Sequence, residues 1–203
     1  MLPRQILLLS AFTALTVASP VEQTRQLGHA NVCGVVNPAT TLIQLQQNSP
    51  NTTFPNTANS TNGGGSVGIS QGGQGVSQVQ ELIGFSPPPA GSYGCTLGVT
   101  FPSDYTFPTL SGSPPTLNVY TLAQPLPPNP TFSNSKPGYL FGTVTIMAGQ
   151  STIINSISCT TPLVYMFSYA DFITGSGAVG WNQHINNNGN TQKLRGVYLS
   201  YNC

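Results

Sequence analysis

The chain has 203 residues, of which 5 are Lys or Arg and 4 are Asp or Glu, so that charged residues make up 4% and the formal net charge is +1; an average globular protein has about 25% charged residues. There is no basic field to draw in nucleic acid or anionic lipid, which excludes both as electrostatic partners, and the length suits one domain with a real core. Few groups titrate, which predicts a folding stability that varies little with pH, and so neutral a surface favours adhesion to neutral matrices or calls for attached glycans to stay soluble.

In chain order, Arg4, the apolar run Ile6 to Val17 and the small residues Thr16 and Ala18 read as a signal peptide over 1–18, cleaved after Ala18. The run is shorter than the ~20 residues a bilayer span requires, so no membrane association is expected after cleavage. Residues 19–32 show little apolar periodicity and are expected to form a flexible N-terminal segment. A single domain is expected over 33–203. Cys33 to Leu45 is apolar enough for a strand, and 48–75, dense in Asn, Thr, Ser, Pro and Gly, reads as a long loop. That loop carries two glycosylation sequons, at Asn51 and Asn59.

From Val76 onward, short β-branched and aromatic runs alternate with Gly and Pro clusters. They are Val76 to Phe85, Cys95 to Phe101, Thr116 to Leu122, Gly142 to Ala148, Ser151 to Ser158, Leu163 to Tyr169, Ala178 to His184 and Gly196 to Tyr201. Leu97, Val99 and Phe101 on one face against Thr96, Gly98 and Thr100 on the other give the period of a half-buried strand. With 22 Gly and 18 Pro no window after the leader has a helical period, and the pattern predicts an all-β, antiparallel β-sandwich of the jelly-roll or immunoglobulin-like two-sheet kind. Pro125, Pro127, Pro128, Pro130 and Pro137 predict an extended, polyproline-like loop over 125–138.

The four cysteines, Cys33, Cys95, Cys159 and Cys203, are even in number and lack CxxC spacing, which in a secreted chain points to two disulfides rather than a zinc site. Three connectivities are open. Each closes a loop of many tens of residues and contributes on the order of 4 kcal/mol in the loop-entropy account.

Phe85-Ser86-Pro87 followed by Cys95-Thr96-Leu97-Gly98-Val99-Thr100-Phe101-Pro102 resembles the opening of a fungal domain family, the C-terminal domain of the But (Uba-three-binding) proteins. Further matches are Gly112-Ser113, Leu117-Asn118-Val119-Tyr120, the strand ending at Cys159, Val164-Tyr165-Met166 and the terminal Gly196 to Cys203, which together span 76–203. Ser158 stands where the family usually has proline, and Cys33 lies outside the match. The resemblance implies a secreted or surface β-sandwich from a fungus. The intracellular partner behind the family name is not carried over, because a secreted chain does not meet it.

For chemistry, the mature chain offers Glu81, Asp104, Asp171, His29 and His184, too few to define a catalytic pair by sequence, and there is no HxH or HExxH. No catalytic residue, metal ligand or cofactor is therefore assigned. Trp181, Asn182, Gln183 and His184, followed by the run Asn186 to Asn190, gather the ring, amide and imidazole groups that hold neutral sugars, and are the candidate glycan contacts. The expected function is that of a secreted, non-catalytic protein of the fungal cell wall or external medium, with cell-wall polysaccharide or an extracellular protein as partner. A glycan hydrolase using Asp104, Asp171 or Glu81, and an effector-type protein-interaction module, are the alternatives.

Overall fold

The computed structural model describes residues 34–59, 61, 63–160, 163–185 and 194–203. The leader, the segment 19–32, Cys33, His29 and the run Asn186 to Asn190 lie outside them. Among the described residues the chain is all-β, with every strand pairing antiparallel and one short 3-10 turn at Gly73–Gly75.

Cys33 to Leu45, read as one strand, is two strands in two different sheets. β1 (Val35–Asn37) and β2 (Ala39–Gln46) are separated by Pro38, which has no N–H for a ladder and marks the point where the chain changes sheet. The smaller sheet has the order β1-β12-β5-β9, formed with β5 (Cys95–Thr100), β9 (Ser151–Ile157) and β12 (Gly196–Tyr201). The larger sheet runs β6-β11-β3-β4-β10-β7-β8 with β2 also on β4, and adds β3 (Gly64–Gln71), β4 (Val79–Phe85), β6 (Thr109–Gly112), β7 (Thr116–Leu122), β8 (Pro137–Thr145), β10 (Val164–Tyr169) and β11 (Gly177–His184).

The two sheets close over one core. Leu97, Val99, Val197 and Leu199 of the smaller sheet meet Ile83, Leu117, Val119, Tyr165 and Phe167 of the larger one, all fully buried. The alternation read from Leu97, Val99 and Phe101 is present as the inward face of β5 and its continuation. The Cys95–Cys159 disulfide, with Cα atoms 5.4 Å apart, staples β5 to the end of β9 across 64 residues of sequence. Cys203 is disulfide-bonded as well.

Two expectations fail on small residues and on proline. The stretch 48–75 contains β3, which pairs with β11 along its whole length from Gln71↔Gly177 to Gly64↔His184. Its sequence GGSVGISQ is mostly Gly and Ser, residues of low strand preference that are recruited by tertiary pairing. The proline-rich segment after β7 is not an extended spacer. Leu126 and Phe132 fold back on the outer face of the larger sheet, against a second small core of Ile43, Leu45, Leu82 and Met166. The Ser133 N–H donates to the Pro50 carbonyl at 2.9 Å and ties this segment to the turn after β2. β1, β2 and β3 pair with β12, β4 and β11 respectively, so residues before 76 are integral to the domain.

Candidate functional site

Strand alternation separates the four candidate glycan contacts. Trp181 and Gln183 point inward and are 1% and 3% exposed, while Asn182 is exposed and His184 half-buried. The Trp181 ring stands edge-on to Phe101 at 5.6 Å, in a group that includes Phe107 and the half-buried Tyr105. Trp181 thus serves the core rather than a sugar platform. Its indole N–H donates to Gln183 Oε1 at 3.0 Å; the same oxygen accepts the Val197 N–H at 3.0 Å, and Gln183 Nε2 donates to the Val197 carbonyl. Gln183 therefore links β11 to β12 as a strand neighbour would, with its amide oxygen and nitrogen both engaged, and is withdrawn from the surface. Gly196 makes room for it: at φ +112° a Cβ there would lie 1.9 Å from Gln183 Oε1. Burial, and Arg195 beside it, push the His184 imidazole below its ordinary value.

Asn182 sits at one end of an open groove of about 390 Å³ on the outer face of β3 and β11, a volume in the lower range of small-ligand sites. The floor is made of small residues, Ser66, Gly68 and Ser70 from β3 and Ala178 and Gly180 from β11. Gln44 and Val79 form one wall, Pro108 and Thr109 the other. The Asn182 end is fixed from beneath. Its N–H donates to the Tyr105 hydroxyl at 3.0 Å, its carbonyl accepts from Arg195 Nε at 3.1 Å, and the Arg195 guanidinium lies 5.8 Å from the Tyr105 ring centre. The lining carries hydroxyl and amide groups and no charged side chain. Sequence reasoning found Asn182 and missed Gln44, Ser66, Ser70 and Thr109, because they converge only through the pairing of β3, which local propensity conceals.

The three carboxylates do not share this groove. Asp104 and Asp171 are exposed on loops after β5 and β10, and Glu81 is wholly buried. Asp171 accepts a 3.0 Å hydrogen bond from Tyr120, whose hydroxyl takes one from Asn118 Nδ2 at 2.9 Å. Glu81 Oε2 accepts the Gly68 N–H at 3.2 Å, while Oε1 has no hydrogen-bond partner. Burial, only partly offset by the Gly68 bond, pushes its carboxyl up to about 8 from an ordinary value of 4.5. A buried acid so placed argues against a pH-insensitive fold, since one such group outweighs the scarcity of the others. Among the described residues no three His, Cys, Asp or Glu side chains gather as a metal site.

Asn51 and Asn59 are both exposed. Asn51 lies in the turn after β2, and the Asn59 Oδ1 accepts the Thr61 N–H at 3.1 Å. No family model matches the sequence, and no curated protein resembles it at a significant level.

Proposed function

We propose that this is a secreted, non-catalytic protein of the fungal cell wall or external medium that binds neutral glycans through the groove on β3 and β11. The observation that carries the reading is the lining: Gln44, Ser66, Ser70, Thr109 and Asn182 offer amides and hydroxyls over a floor of Gly and Ala, with no charged side chain. Neutral polyols are held by such groups, and the narrow floor leaves room for a sugar edge. The leader-like first 18 residues, the cysteines and the near-absence of charge support the extracellular setting. The fungal context rests on the But-domain resemblance, whose motifs fall on β4, β5, β7, β10 and β12.

A hydrolase has less support, because no carboxylate lines the groove and Glu81 is committed to a backbone N–H. The test is co-sedimentation with insoluble chitin and insoluble β-glucan. Retention on one of them, lost in Ala178→Tyr, which fills the floor from the outer face, supports the proposal. Protein left wholly in the supernatant with both contradicts it.

A further inference from the structure

β3 is held to β4 by backbone pairing at a single position, Ser70↔Val79. Beyond it the edge of β3 is satisfied by side chains at Gly68 and Ser66, and at Gly64 by a backbone bridge to Asn59. The Gly68 N–H donates to Glu81 Oε2 at 3.2 Å and the Gly68 carbonyl accepts from Gln44 Nε2 at 3.5 Å. At Ser66, Thr57 Oγ1 accepts the N–H at 3.3 Å and donates to the carbonyl at 2.8 Å. Gln44 lies across Gly68 so closely that a Cβ there would stand 2.7 Å from Nε2, and both residues line the groove. One peptide of the groove floor is thus gripped by a carboxyl and an amide.

We propose that this seam is a proton-controlled latch: it is closed while Glu81 is protonated, and loss of that proton to water draws the carboxylate out of its dry site and parts β3 from β4 toward the groove. The reason lies in what surrounds the carboxyl. β2 contributes Gln44, β3 contributes Gly68, and β10 contributes Phe167 opposite Glu81, flanked by Tyr165 and Tyr169, whose hydroxyls burial keeps neutral. β11, the strand beyond β3, has His184 at its far end, opposite Gly64. Among the described residues β2, β3, β10 and β11 carry no Lys, Arg, Asp or second Glu. Among the described residues of these strands an ionised Glu81 has one N–H and no cation to stabilise it, and a buried charge so placed finds water or unfolds its surroundings. The seam toward the groove is the weakest route, being closed by one backbone pair and side-chain ties. The raised carboxyl value places the transition near pH 8. A consequence for ligand affinity, that binding weakens as the latch opens, rests on the glycan reading; the latch itself does not.

The test needs no ligand. Isotope-labelled full-length secreted protein is titrated by NMR from pH ~5 to ~9.5, following the Glu81 carboxyl carbon, the Gly68 amide and hydrogen exchange corrected for intrinsic rate. The expected result is a Glu81 midpoint near 8, with the Gly68 amide titrating at the same midpoint. Protection over Val67–Ser70 should fall at least about tenfold while β10 stays protected, and Glu81→Gln should abolish that fall. Gln44→Ala, which removes the other tie and admits water, should lower the Glu81 midpoint by about one unit or more. The proposal is overturned by an ordinary carboxylate midpoint, by ionisation without change at Gly68, by β10 losing protection together with β3, or by the same loss in Glu81→Gln.

Discussion

Replacing Glu81 by Gln should change the pH dependence of stability in a way fixed by the burial of one carboxyl. In the folded protein the group titrates at about 8, against an ordinary value of 4.5 for the unfolded chain. Below the lower value both states hold the proton and the group contributes nothing. Between the two the folded state keeps a proton that the unfolded state has released, so stability falls as pH rises, by about 1.4 kcal/mol per unit, and the fall ends above the folded value. The accumulated loss is about 2 kcal/mol at pH ~6 and up to about 5 kcal/mol at pH ~8, a large share of the total for a domain of this size. In Glu81→Gln the amide oxygen still accepts the Gly68 N–H, but the amide N–H₂ takes the place of the unpartnered Oε1 and costs about 1–3 kcal/mol at every pH. The variant should therefore be less stable than wild type in acid and more stable above neutrality, with the two curves crossing between. Urea denaturation followed by Trp181 fluorescence at a series of pH values measures both curves. A wild-type profile that is level over this range, or a Gln variant with the wild-type slope, would refute the reasoning.

Other consequences concern the scaffold. Removing the Cys95–Cys159 bridge as a double Ala variant should cost about 4 kcal/mol from the 64-residue separation it closes, read by urea denaturation. Non-reducing peptide mapping should recover that bridge and a second joining Cys203, which is disulfide-bonded, to Cys33, the remaining cysteine of the sequence. Gly196→Ala places a Cβ on Gln183 Oε1 at a positive φ and should destabilise the domain by about 3 kcal/mol. Leu126→Ala should cost about 1–2 kcal/mol and expose the outer-face cluster to a hydrophobic dye, because this half-buried side chain covers Ile43, Leu45, Leu82 and Met166.

Much of the fold was legible from local pattern. Thr116–Leu122 and Gly196–Tyr201 are strands at the boundaries their β-branched and aromatic content predicts, and β5, β9, β10 and β11 begin or end within a residue or two of expectation. What stayed hidden is non-local. β3 has too little side-chain volume to announce itself and is a strand because β11 pairs with it. The candidate groove inherits that concealment, since its floor is the outward face of β3 and β11. Trp181 illustrates the converse. Its sequence neighbours suggested a sugar platform, but the period-2 rule sends Trp181 and Gln183 to the side opposite Asn182, and only the burial of that face shows which side meets solvent. The role of Glu81 was illegible for the same reason, as its partner Gly68 lies across a seam that no local signal reveals.

The most direct measurement of the central claim is an amide-shift titration of the labelled protein with soluble chitin and β-glucan oligosaccharides, run at a pH of about 6 where Glu81 is protonated. The account predicts saturable shifts confined to Ser66, Gly68, Ser70, Thr109, Ala178 and Asn182, absent in Ala178→Tyr. Shifts centred elsewhere, or none with either glycan, would contradict it.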